Sequence, residues 1–281
     1  MLRPFIVLSC SLVALGAHAE ENKPAAPPRP ASDASPSPSK GTSDETPAPL
    51  LELLERSGSS RGLNSLPSTV GRMVMRAEKL NDAMSSALVD ALAPRRFYRH
   101  VLRELTKGYD AVRVQALLAW YRTPLGVRAT AMSKAASDEA AVLRTRVLQQ
   151  RKTPAPPERI TLMRALLTAE APLEALRSAA YALFRGLMRL AQRALPPERM
   201  PALAGGDPAS DKAQEGFLPL YLAIYEGLSM EELQQLLAFT LSADARWFDA
   251  VERRAINRAM EGAGILMGRA MLTRAAKARF R

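Results

Sequence analysis

The sequence predicts an all-α protein, a helix bundle built from two tandem helical-hairpin modules behind a disordered Pro-rich leader. Three observations carry that reading. Hydrophobic residues make up 47% of the 281-residue chain and aromatics only 5%, with heavy use of the strong helix formers Ala, Leu, Arg, Glu and Met. Apolar residues recur every three or four positions, whereas the period-two runs that mark strands are nearly absent. Glycine and proline fall mostly at the ends of the periodic segments, as stops and starts.

Residues 1–19 read as a signal peptide. Arg3 supplies the positive start, Phe5 to Gly16 the apolar stretch, and Ala17-His18-Ala19 the small-residue cleavage site. A mature chain beginning at Glu20 is expected to be periplasmic or secreted. It loses the single cysteine, Cys10, and keeps one histidine, His100, which excludes a disulfide framework and thiol chemistry. Residues 20–49, with PAAPPRP, SPSPS and TPAP, form a linker that cannot bury apolar surface and serves as tether or plain spacer.

The first module is placed at 50–152. Leu50 to Arg56 forms a short apolar helix, and SGSSRG from Ser57 to Gly62 breaks it. After Pro67 a long helix is expected to about Leu92, with Val70, Met73, Ala77, Leu80, Met84, Ala87 and Ala91 in a heptad-like seam. Pro94 ends that helix, and Gly108 closes the next one. A corner follows. Val114, Leu117, Leu118 and Tyr121 line one helix face; Thr123 then offers a cap and Pro124 sits at the first position of a helix reaching about Gln150.

TPAPP, Thr153 to Pro157, separates the modules, and the second, 158–281, repeats the order. Leu162 to Thr168 is short and apolar; the helix after Pro172 carries Leu173, Leu176, Ala180, Leu183, Leu187, Leu190 and Ala194 at the same spacing. Gly205 to Asp211 reads as a loop, Phe217 to Glu226 as a helix, and Ser229 with Glu232 as a capping box. At an offset of 119 residues Gly108 meets Gly227, Gln115 meets Gln234, and Leu117-Leu118-Ala119 meets Leu236-Leu237-Ala238. Order and offset together predict two tandem copies.

The corner motif, Val114, Leu117, Trp120, Tyr121, Thr123, Pro124 and Gly126, resembles that of the bacterial exported family known as domain of unknown function 2059. The second copy keeps Glu232, Leu233, Leu236, Leu237, Phe239 and Ser242 but carries Thr240, Ala243 and Ala245 where the motif has Tyr, Pro and Gly. The resemblance implies an all-helical periplasmic protein and implies no activity.

Candidate chemistry is sparse, and the expectation is a protein that is not an enzyme and takes no cofactor or metal. Gly58-Ser-Ser60-Arg-Gly62 spells G-x-S-x-G, but no strand precedes Ser60 and a glycine/serine turn explains it. His100 and Glu104 stand at i and i+4, the spacing of a surface pair as well as of an acid–base pair. No HExxH, cysteine set, Walker loop or GxGxxG occurs. Trp120 and Tyr121, with Trp247 and Phe248 in the second copy, are candidates for lining an apolar ligand groove or for core packing. Arg269, Arg274, Lys277, Arg279 and Arg281 make the C-terminal helix basic and amphipathic, suited to anionic lipid or to offsetting the helix macrodipole. A net charge of +11 admits anionic envelope partners. The function expected is non-catalytic binding or structural work in the envelope, and nucleic acid is not expected as a partner. The alternatives are an amphiphile carrier and a peripheral membrane protein. No transmembrane span is expected in the mature chain.

Overall fold

The computed structural model describes residues 46–78, 82–152, 154–194 and 215–279, and among them every regular element is an α-helix. The leader, the loop expected at Gly205 to Asp211, and Arg281 lie outside the described residues. No helix among the described residues is long and apolar enough to cross a membrane.

The first half comprises α1 (Ala48–Arg56), α2 (Ser59–Glu78), α3 (Asp82–Ala91), α4 (Pro94–Lys107), α5 (Ala111–Tyr121), α6 (Pro124–Asp138) and α7 (Ala140–Lys152). The second comprises α8 (Pro157–Glu170), α9 (Pro172–Ala194), α10 (Leu218–Ile224), α11 (Met230–Leu241) and α12 (Ala243–Arg279).

Local chemistry sets most boundaries as the sequence predicts. Thr123 Oγ1 accepts the Gly126 N–H at 3.0 Å with Pro124 at the first position of α6. Ser229 and Glu232 close a reciprocal capping box on α11. Three features differ. The break expected over Ser57–Gly62 is confined to Ser57 and Gly58, and Pro67 lies inside α2 instead of ahead of it. The buried face of Leu63, Leu66 and Val70 runs through the proline, and that packing outweighs the roughly 3 kcal/mol an interior proline costs. The helix after the corner also breaks, at Glu139, into α6 and α7.

The two halves share one continuous core, from Leu50 to Met267. Within each half the short first helix packs on the helix before the corner, α1 on α5 and α8 on α11. Between halves the packing is reciprocal: α12 lies against α3 and α4 of the first half, and α7 lies against α10 of the second.

The most extensive contact, α9 against α12, brings small residues together beside the expected seam, of which Leu183 is buried. A Cβ at Gly186 would overlap the Glu261 carbonyl, and one at Gly264 would overlap that of Leu183. Ala179, Ala182 and Ala263 are buried, so the backbones approach closely where leucines would hold them apart.

Candidate functional site

The halves also touch at the corner. Trp120 stacks on Phe239 with ring centroids 3.7 Å apart and planes 4° from parallel, and Tyr121 meets Phe239 edge-on. Trp120 and Phe239 are 119 positions apart, and the bonds around them repeat at that offset. Thr123 N–H donates to the Trp120 carbonyl and Ser242 N–H to that of Phe239, both at 2.9 Å. Ser242 Oγ accepts the Ala245 N–H as Thr123 Oγ1 accepts that of Gly126. The second corner therefore keeps the capped geometry without the proline and glycine of the first. Arg128 pairs with Glu232 across the halves, and at the positions 119 away Arg113 lies over the Trp247 ring, 5.5 Å from its centroid.

These contacts place the four aromatic candidates. Tyr121 and Phe248 are buried in the core, Trp120 is covered by Phe239, and Trp247 lies beneath Arg113. The described clefts are lined by other residues.

One cleft, about 390 Å³, opens between α1, the start of α2, α4 and α6, lined in part by Glu55, Ser60, Arg61, Tyr98, Ser133 and Lys134. Ser60 stands in the first turn of α2, after Gly58 at φ 77°, and no histidine lines the cleft. Arg61 donates to both carboxylate oxygens of Asp138 at 2.8 and 2.9 Å. Ser133 Oγ is buried without a partner in hydrogen-bonding geometry, near the Tyr225 hydroxyl. Burial, with Glu170 nearby, pushes the Tyr225 phenol well above its ordinary range, and Ser133 works against that rise. Lys134 is exposed, and among the described residues no ion pair engages it. Sequence reading reached this cleft only through the letters of G-x-S-x-G; Thr130, Ser133, Lys134 and Ser137 carried no motif.

A second cleft, about 600 Å³, runs between α6, α7 and α10 and is mostly apolar, with Met132, Val142, Leu143 and Ile224 among its walls and Glu139, Arg146 and Glu226 at its edges.

The third feature is a basic face. Arg95, Arg96, Arg99, Arg103 and Lys107 are exposed along α4, whose one carboxylate is Glu104. Alongside, α12 exposes Arg254, Arg258 and Arg269. The helices run antiparallel: Gly262 faces His100, Arg258 bonds Glu104 at 2.5 Å, and Val251 faces Gly108. Burial alone would raise the Glu104 pKa, but hydrogen bonds from Lys107 and Arg258 hold it below the usual carboxylate range. From Arg253 to Arg279, α12 has one acid, Glu261, taken by Arg185 and Arg189 of α9. Arg269 thus belongs to this face; the side chains of Arg274, Lys277 and Arg279 lie outside the described residues. His100 is half-buried against Gly262 rather than in a cleft, and desolvation lowers its pKa.

No protein family, curated protein or solved structure matches the chain.

Proposed function

We propose that this is an exported, non-catalytic binding protein of the bacterial envelope that docks on anionic lipid through the α4/α12 face. The observation that carries the reading is the alignment of eight exposed cations on two antiparallel helices, with Glu104 the only acid of α4 and already bound. The exposed Leu266 and Leu272 add apolar groups on the same helix. Export rests on the signal-like pattern of residues 1–19. The chain is read as two copies of one unit, supported by the bonds repeated at an offset of 119, and its corner remains the basis for likening it to domain of unknown function 2059.

Co-sedimentation with vesicles tests the docking. The mature chain is expected to bind phosphatidylglycerol vesicles and not phosphatidylcholine ones, with affinity falling steeply as salt rises. Each cation near an anionic surface is worth about 1 kcal/mol, so the triple variant R95Q/R99Q/R103Q should weaken binding by roughly two orders of magnitude. Equal binding by the variant would overturn the reading.

The cleft between α6, α7 and α10 supports a second reading, an amphiphile carrier, because its walls are mostly apolar and its edges charged. Native mass spectrometry of the purified protein is then expected to show bound lipid that Ala135→Trp displaces.

A further inference from the structure

The cleft at the start of α2 has a counterpart in the second half where ion pairs stand. In the first two helices of each half the matching positions are 113 apart: buried Leu50, Leu53 and Leu54 match Met163, Leu166 and Leu167. Gly58 and Ala171 are both left-handed, and Ser59 and Pro172 both begin helices. Beyond the corner the offset is 119. Lys134 accordingly corresponds to Arg253, Thr130 to Asp249, Arg61 to Glu174, Ser57 to Glu170 and Ser133 to Glu252.

In the second half the protein supplies its own anions. Arg253 Nε lies 2.8 Å from Asp249 and its Nη1 3.9 Å from Glu174, and a third bond reaches the Glu170 carbonyl. In the first half those two carboxylates are replaced by Thr130 and Arg61, and the cation opens on a cavity. We propose that this cleft binds a small anion carrying hydroxyl groups, a polyol phosphate or carboxylate, whose charge takes the place that Asp249 and Glu174 occupy in the other half.

The polarity of the lining suits both parts of such a ligand. Lys134 and the Ser60 hydroxyl are donors for the anion, at the positive end of the 20-residue helix α2. Thr130 and Ser137 donate their own protons to the Gly126 and Ser133 carbonyls at 2.9 and 3.1 Å. Their lone pairs, with the Glu55 carboxylate at the rim, remain as acceptors for ligand hydroxyls.

Calorimetric titration of the mature chain with glycerol 3-phosphate tests this, with glycerol and inorganic phosphate as controls. Saturable binding is expected for glycerol 3-phosphate, at least tenfold weaker binding for inorganic phosphate, and none for glycerol. Lys134→Gln should weaken glycerol 3-phosphate at least tenfold. Thr130→Asp, which gives Lys134 a carboxylate one turn away, should do the same without lowering the melting temperature. A dihexanoyl phosphatidylglycerol arm separates the sources: competition with glycerol 3-phosphate assigns the anion to a lipid headgroup, and its absence to a free metabolite. No saturable response below roughly 20 mM, or equal affinity in Lys134→Gln, would overturn the site. Equal affinity for inorganic phosphate would overturn the role given to the acceptors.

Discussion

The start of α2 and the start of α9 each follow a left-handed residue, yet one borders a cleft and the other a set of ion pairs. Around Arg253 stand Asp249 and Glu174; around Lys134 stand Thr130 and Arg61. Where Glu170 and Glu252 are buried, the first half has the smaller Ser57 and Ser133. The Glu170 carboxylate is satisfied in part by the Tyr221 hydroxyl at 2.7 Å. Gly58 and Ala171 share a left-handed φ ahead of the two helices, so the contrast lies in side-chain volume and charge.

The most damaging way to break the comparison is at the stack where the halves meet. Phe239→Ala removes a buried ring from both Trp120 and Tyr121 and is expected to cost about 3 kcal/mol in urea unfolding. Trp120→Phe keeps a ring on Phe239 and should cost about 1 kcal/mol or less. Equal losses would mean that the Phe239 ring contributes no more than the Trp120 indole to the contact between the halves.

The two cations come next. Arg253→Met strips partners from Asp249 and Glu174 and should cost about 2 kcal/mol, below the loss for a fully buried pair because Glu174 is largely exposed. Lys134→Met should stay within about 0.5 kcal/mol. Similar losses at both sites would show that Lys134 is already paired and would close the cleft as a candidate.

The left-handed residues ahead of α2 and α9 give a smaller contrast. Gly58 has φ 77° with open space around its α-carbon, whereas Ala171 holds φ 40° with a side chain. Gly58→Ala should therefore cost about 1 kcal/mol from backbone strain alone, and Ala171→Gly should recover up to about that amount. Thermal melts of the two variants should shift in opposite directions.

How far the sequence foretells these features depends on whether a residue acts locally. Thr123, Pro124 and the Ser229/Glu232 box act within one turn, so their spacing announces them. The α9/α12 contact was hidden because Gly186 and Gly264 matter only through the backbone each meets from far along the chain. Pro67 misled because a local rule yielded to a buried face that only tertiary packing completes. The basic face was half legible: Arg269 lay in the predicted C-terminal stretch. The α4 arginines joined it only because α12 crosses into the first half. Trp120 and Tyr121 were identified as notable for the right spacing, but the stack with Phe239 turns them to joining the halves.

The smallest effect separates the two reciprocal helix contacts by pH. Where α4 meets α12, His100 is half-buried against Gly262; the position 119 further on is Pro219 of α10, which cannot titrate. Burial lowers the His100 pKa from its ordinary value of 6.5; the Glu104 carboxylate opposes the shift, while Arg103 and Lys107 reinforce it. The unfolded chain then binds more protons than the folded one around that ordinary value. The contribution is present above the unfolded pKa and is lost as pH falls below it. His100→Gln should accordingly flatten the fall in urea stability between about pH 7 and pH 5, by less than any difference above, since the ring keeps solvent contact. A slope unchanged in that variant would assign the acid sensitivity to the carboxylates, beginning with Glu104, whose bonds to Lys107 and Arg258 are lost only at lower pH. The α4–α12 contact would then owe none of its mild-acid sensitivity to His100.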